Sequence, residues 1–268
     1  MAHILLPTDF SDPSLNACAY AVALFGTAQH RFTLVHAYLD TVPGYAGMVD
    51  MTSSLYTASV EGLADFTERF RALPGAADAI LSTEAVHGPL AGVLKDFAEE
   101  HAVDLIVMGT RGAGGIALFG SNAGAIAKTS RVPVLIVPEQ AHFQGMRRIL
   151  FADDHTRVEP LAMRGLLTFA KMHEAEVLVA HVLRSPSELP DPRIAADYEA
   201  TLADVKHRYI DAAGDDVALA LSNVAERDDV ELVSVLHRHT GMLESLFHGS
   251  VAKRLAMHSR IPLLVLQH

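Results

Sequence analysis

The chain has 268 residues, half of them apolar, and a formal net charge of −11, which suits one large or two small domains, each able to bury a core. Lys and Arg number 7 against 14 Asp and Glu in residues 1–140, and 14 against 18 in the rest, so both halves are acidic and a broad nucleic-acid-binding face is not expected. The single cysteine, Cys18, excludes a disulfide framework and fits a reducing cytoplasm.

The opening residues, MAHILLPTDF, carry no charged n-region and no long apolar stretch, so no secretory signal is expected. No run approaches the ~20 apolar residues of a membrane-spanning helix, and a soluble protein is expected. A first strand is predicted at Ile4–Pro7. Ser11-Asp12-Pro13 then opens a helix, Ser11 capping it and Pro13 tolerated in its first turn. The helix runs to about Phe25, where Gly26 stops it. Cys18 falls on this helix among Ala17, Ala19 and Tyr20, the setting of a buried small apolar residue rather than a nucleophile. A strand follows at Phe32–Ala37. The stretch Leu39–Thr52, with Tyr45, Met48 and Met51, reads as a surface loop by default and as a lid or partner surface otherwise. Next come a helix at about Ser53–Leu73, a strand near Leu81–Val86, a helix at Pro89–His101 and a strand at Leu105–Met108. A Gly-rich loop, a helix over Ser121–Ser130 and a strand at Pro133–Val137 complete the series.

The series then repeats. HILLPTDF (His3–Phe10) resembles RILFADDH (Arg148–His155), and TLVHAY (Thr33–Tyr38) resembles LVAHVL (Leu178–Leu183), both at an offset of 145. SRVPVLIV (Ser130–Val137) resembles SRIPLLVL (Ser259–Leu266) at an offset of 129, as Gly120-Ser121 does Gly249-Ser250. Ordered copies that differ by a loop length indicate duplication. In the second copy, strands are predicted at Ile149–Ala152, Val177–Val182, His207–Ala212, Glu231–Leu236 and Pro262–Leu266. Helices are predicted at Val158–Met172, Arg193–Val205, Asp215–Arg227 and Ser250–His258. Short apolar strands alternating with amphipathic helices predict an α/β fold: two tandem, doubly wound, five-stranded parallel sheets. The polar stretch Glu139–Met146 divides them, giving domains at 1–140 and 146–268.

A first strand ending in PTDFS, a second ending in VHAY, the run VDLIVMGTRG, and GSNAGAIAKTSRVPVLIVP together resemble the universal stress protein family. HRHTGMLESLFHGSVAKRLAMHSRIPLLVL resembles the degenerate second domain of its tandem members. The resemblance covers nearly the whole chain. It implies a Rossmann-like, adenine-nucleotide α-hydrolase-like fold and a pairing of the two domains, often through their last strands, so that the chain mimics a dimer of single-domain relatives. A further homodimer and an unidentified protein partner are the interactions it leaves open.

A Gly-rich turn between strand and helix presents bare N–H groups to phosphate, and the helix N-terminus adds a favourable field. Copy one has Met108, Gly109, Gly112, Gly114 and Gly115, then Gly120, Ser121 and Asn122 opening a helix. Many family members that bind ATP carry Gly-x2-Gly-x9-Gly-Ser or Thr here. In this chain seven residues separate Gly112 from Gly120, two fewer than that pattern. A glycine turn that only permits tight packing is the alternative. Asp9 follows the first strand at the carboxyl edge of the sheet, where ligands bind in such folds. In the family the matching Asp contacts the nucleoside and the residue matching Ala37 lies beside the base, with Pro7 and Thr8 shaping the corner. Asp9 can equally assist the start of the next helix. The expected cofactor is ATP or a related adenine nucleotide, with Mg2+ accompanying it.

Copy two keeps Asp154 opposite Asp9, but Arg238 and His239, counted back from Gly249, stand where copy one has Gly109 and Thr110. No ATP is expected there. His237, His239, His248 and His258 lack the short fixed spacing of a zinc site and read as loop and helix-face histidines. Asp228-Asp229 and Glu99-Glu100 read as solvated charges. With no matched nucleophile and base, a dedicated enzyme is not expected, slow ATP hydrolysis being at most incidental. The function expected is a nucleotide-responsive stress protein acting through partners. The alternative is a nucleotide-independent interaction module with a relic loop.

Overall fold

In the computed structural model the first apolar run is a strand, β1 (His3–Pro7), with all five residues buried. Residues 1–39, 51–110, 121–153, 156–183, 192–214, 216–237 and 260–267 are described. Ser11 caps α1 (Asp12–Phe25) in an extended conformation, its Oγ accepting from the Ser14 amide, and Gly26 ends it at φ +67°. A residue with a side chain would be strained at that φ. There follow β2 (Arg31–Tyr38), α2 (Met51–Arg71), β3 (Ile80–His87), α3 (Leu90–Glu100), β4 (Leu105–Gly109), α4 (Ser121–Thr129) and β5 (Val134–Val137). Every pairing among these strands is parallel, in the order β3-β2-β1-β4-β5. Chain connections leave β1 toward β2 and β3, then cross back to β4 and β5. A crevice therefore opens at the carboxyl ends of β1 and β4, where the winding reverses. The buried faces of β1 and β5 require cover on both sides. α1 packs on β4 and β5, and α2 on β2 and β3.

The chain divides into two compact units, Met1–His142 and Phe143–His268. The second contains β6 (Arg148–Asp153), α5 (Arg164–His173), β7 (Glu176–Leu183), α6 (Pro192–Leu202), β8 (His207–Ala213), α7 (Val217–Arg227), β9 (Leu232–His237) and β10 (Leu263–Gln267). Its strands are parallel in the order β8-β7-β6-β9-β10, the order of the first unit. The fold is thus α/β with parallel sheets, as the sequence predicts.

Two local expectations are corrected. The helix expected from Val158 starts at Arg164 instead. Ala162, Met163 and Arg164 donate to the carbonyls of Glu159, Pro160 and Leu161, three residues back. Pro160 has no N–H to give and biases Glu159 toward extended backbone, so tight turns precede the helix. The apolar spacing of Val158, Leu161 and Ala162 imitates helical periodicity there. The second correction concerns β9. Ile4 pairs with Leu105 and its repeat partner Ile149 pairs with Leu232, an offset of 127 on these strands. Leu236 and His237, not Arg238 and His239, therefore stand where the first unit has Gly109 and Thr110. Two extra residues between β9 and Gly249 absorb the difference, so counting back from Gly249 overshoots the strand. The helix expected at Ser250–His258 lies outside the described residues.

Candidate functional site

Strand register builds the site. Pro7 is paired with Val35, and the ladder continues one step as the Thr8 amide donates to the Val35 carbonyl at 2.9 Å. Continued further, that register sets Asp9 level with Ala37. On the other side of β1, the β4 register sets Thr8 level with Gly109. Pro7, Thr8, Asp9, Ala37, Met108 and Gly109 are therefore brought together at the carboxyl ends of three adjacent strands. Pro7, Thr8 and Met108 are buried, whereas Asp9, Ala37 and Gly109 are partly open to solvent. Ser121 opens α4 and Asn122 is exposed in its first turn. Gly112 and Gly120 lie outside the described residues.

The Asp9 turn is tightly specified. The Thr8 hydroxyl accepts from the Phe10 amide at 2.9 Å and bonds the Ser14 hydroxyl at 3.0 Å. Asp9 Oδ1 accepts from the Ser11 amide at 3.2 Å and from Ser11 Oγ at 2.5 Å. Asp9 thus organises the helix start, the role that short polar side chains commonly take at a turn. The Thr8 carbonyl accepts from His36 Nδ1 at 2.8 Å, which fixes the proton on that nitrogen because a carbonyl cannot donate.

Sequence reasoning missed the side chains behind this turn. Phe10 has φ +67°, and its ring stacks on His36 with centroids 4.3 Å apart. The Phe10 carbonyl accepts from Arg69 Nη1 at 2.9 Å, and Arg69 Nη2 reaches Asp12 Oδ1 at 2.5 Å. Gly62 lies so close that a Cβ there would sit 2.7 Å from Phe10 Cε2. A lone glycine inside a helical pattern was the signal available, since it weakens a helix by roughly 1 kcal/mol unless packing demands it.

The second unit keeps the frame and changes the chemistry. Asp153 stands 145 residues after Thr8, is buried, and accepts from Tyr198 Oη at 2.8 Å. His181 repeats His36, its Nδ1 lying 3.4 Å from the Asp153 carbonyl. Leu236, in the place of Gly109, is buried. Asp154 lies outside the described residues, as do His239, His248 and His258. Asp228 is not a solvated charge: its side chain is 17% exposed and accepts from Arg208 and Arg227, each at 2.7 Å. Desolvation pushes its carboxyl up, but the two guanidinium hydrogen bonds outweigh that and hold it below the usual carboxylate value. Among the described residues no group of three or more His, Cys, Asp or Glu is arranged to hold a metal. None of their helices is long and apolar enough to cross a membrane.

The model of the universal stress protein family matches residues 1–138 and again 145–267. Universal stress protein MJ0531 of Methanocaldococcus jannaschii is 30% identical over 142 residues, covering 50% of this chain and 80% of that protein. The universal stress protein encoded in the QAH/OAS sulfhydrylase 3′ region of Thermus aquaticus is 33% identical over 138 residues, covering 50% of this chain and 96% of its own. A crystal structure of a universal stress protein from Archaeoglobus fulgidus DSM 4304 covers 99% of this chain and 98% of its own, with a TM-score of 0.74 at 18% identity, a likeness of fold. Matched by the family model across both halves, the chain belongs to the universal stress protein family.

Proposed function

We propose that the first unit binds an adenine nucleotide, ATP or a close relative, and that the protein acts through partner interaction rather than as a dedicated enzyme. What supports this reading is that the registers of β1 with β2 and β4, carried past the last paired residues, bring Asp9, Ala37 and Gly109 to the winding reversal of a parallel sheet, the position at which such sheets take ligands. The residue types suit the ligand. A carboxylate accepts hydrogen bonds from ribose hydroxyls, Ala37 leaves room for a flat base, and Gly109 keeps the strand end free of a side chain. Gly112, Gly120, Ser121 and Asn122 would supply the phosphate end through amides and a hydroxyl at a helix start. Mg2+ would arrive on the phosphates. Protein partners, a homodimer or the pairing of the two units, and a cytoplasmic setting belong to the same proposal.

Calorimetric titration with ATP, ADP and AMP tests it. Saturable heat with a raised melting temperature is expected, and Asp9→Asn should weaken binding by about tenfold, the loss of roughly one charge-assisted hydrogen bond. Absence of both heat and thermal shift for all three nucleotides overturns it. The alternative, a nucleotide-independent interaction module, is favoured by one observation: the large apolar side chains Tyr56 and Val60 on α2 are 51% and 43% exposed. Its mark is partner capture indifferent to nucleotide.

A further inference from the structure

Hydrogen bonds within the Asp9 turn do not by themselves account for the conformation of Phe10. Phe10 is kept in a left-handed conformation that residues with side chains seldom adopt, and the groups that keep it there come from elsewhere in the fold. The ring lies against His36 of β2 on one side. On the other it meets α2 so closely that Gly62 has no room for a methyl group. Phe66 adds an aromatic contact at 6.1 Å, and Arg69 holds the Phe10 carbonyl while its guanidinium lies 5.5 Å from the Phe66 ring centroid. Gly62, Phe66 and Arg69 are spaced four and three residues apart, one face of a helix. Val60 and Tyr56 point the other way and are exposed. Phe10 is flanked in sequence by the Asp9 carboxylate and the Ser11 cap, and Arg69 holds its carbonyl, so a shift of the Phe10 backbone moves both.

We infer that α2 sets the binding conformation of the Asp9 turn, with Phe10 as the positioning residue through which it acts. For what the turn binds, this rests on the nucleotide reading above. Coupling of this kind is reciprocal: a contact that shifts α2 changes affinity at Asp9, and ligand at Asp9 changes the stability of α2 by the same factor.

A double-mutant cycle tests it on the full chain, read by hydrogen exchange of residues 8–14 and by ATP titration. Gly62→Ala drives a methyl into the Phe10 ring. It should raise exchange of residues 8–14 and weaken ATP binding roughly tenfold, the scale of a local overpacking penalty. In a Phe10→Gly background the obstruction is gone and φ +67° is easy for glycine, so adding Gly62→Ala should change either readout less than about twofold. An equal effect of Gly62→Ala in both backgrounds overturns the inference, as does unchanged exchange in the single variant. Should Gly62→Ala fail to fold, Arg69→Met, which removes the donor to the Phe10 carbonyl together with the Asp12 contact, must raise exchange of residues 8–14 more than Asp12→Asn does, while leaving distant β5 unaffected; an equal rise in the two variants overturns the inference. If the unmodified chain binds no ATP, the nucleotide reading fails, while the exchange cycle still decides the role of α2.

Discussion

Asn16 shows how one side chain can close a unit. From α1 its Nδ2 donates at 3.1 Å to the carbonyls of Pro138 and Ala141, tying the segment after β5 to the first helix. Asn16→Ala strands two acceptors and should lower stability by about 1–2 kcal/mol in urea unfolding; no change would mean that water replaces both bonds. Cys18, two residues further along α1, is 1% exposed, and burial pushes its thiol up to about 12. It should resist a disulfide reagent in the native protein and react only on unfolding. At this scale the sequence was most legible where local rules act alone. Ser11, Pro13 and Gly26 announced both ends of α1. Phe10 was opaque because its conformation depends on Gly62 and Arg69, more than fifty residues away, and only the helix-breaking glycine hinted at the contact.

The elements carry the repeat more faithfully than the side chains do. Both units tie the first strand to the loop before the fourth with a carboxylate: the His3 amide donates to Asp104 and the Arg148 amide to Glu231, each at 2.8 Å. These carboxylates stand at the offset of 127 that the strands define, which a search on loop glycines does not find. α5 began late because Pro160 interrupts the turn that apolar spacing suggested. α7 is specified at both ends. Asp216 caps it by accepting from the Leu219 amide at 3.1 Å, and Asp228 ends it between two arginines. Asp216→Ala should lower stability by about 1 kcal/mol in denaturant unfolding, the usual value of such a cap. Asp228→Ala should cost no more than about 1 kcal/mol, since Arg208 and Arg227 are 41% and 62% exposed and solvent replaces much of the pairing. A larger loss would show that Asp228 anchors more than α7.

Across the whole molecule, duplication has kept one topology and let the residues at one of the two matching strand-end corners change. The alternation of apolar strands with amphipathic helices, read twice along the chain, made the α/β parallel architecture legible in advance, whereas the strand order and the switch point come from the pairing of the strands. The corner chemistry depends on register, and register is set by hydrogen-bonded pairing that loop lengths hide. Each unit also carries histidines whose charged form burial disfavours. Desolvation lowers His3 and His30 in the first unit and His173 in the second from the ordinary value of 6.5. In each case the unfolded chain binds the proton more readily, so stability is complete above 6.5 and falls as pH drops below it. Melting temperature should therefore be lower at pH 5.5 than at pH 8, and His3→Asn should reduce the difference; a flat profile would contradict the account. The central claim is that nucleotide is held in the first unit alone. Native mass measurement of the chain with ATP near its dissociation constant tests it most directly: at most one nucleotide per chain, its occupancy reduced by Asp9→Asn and unchanged by Asp154→Asn, is the predicted result. Two nucleotides per chain, or one that depends on Asp154 and not on Asp9, would contradict it.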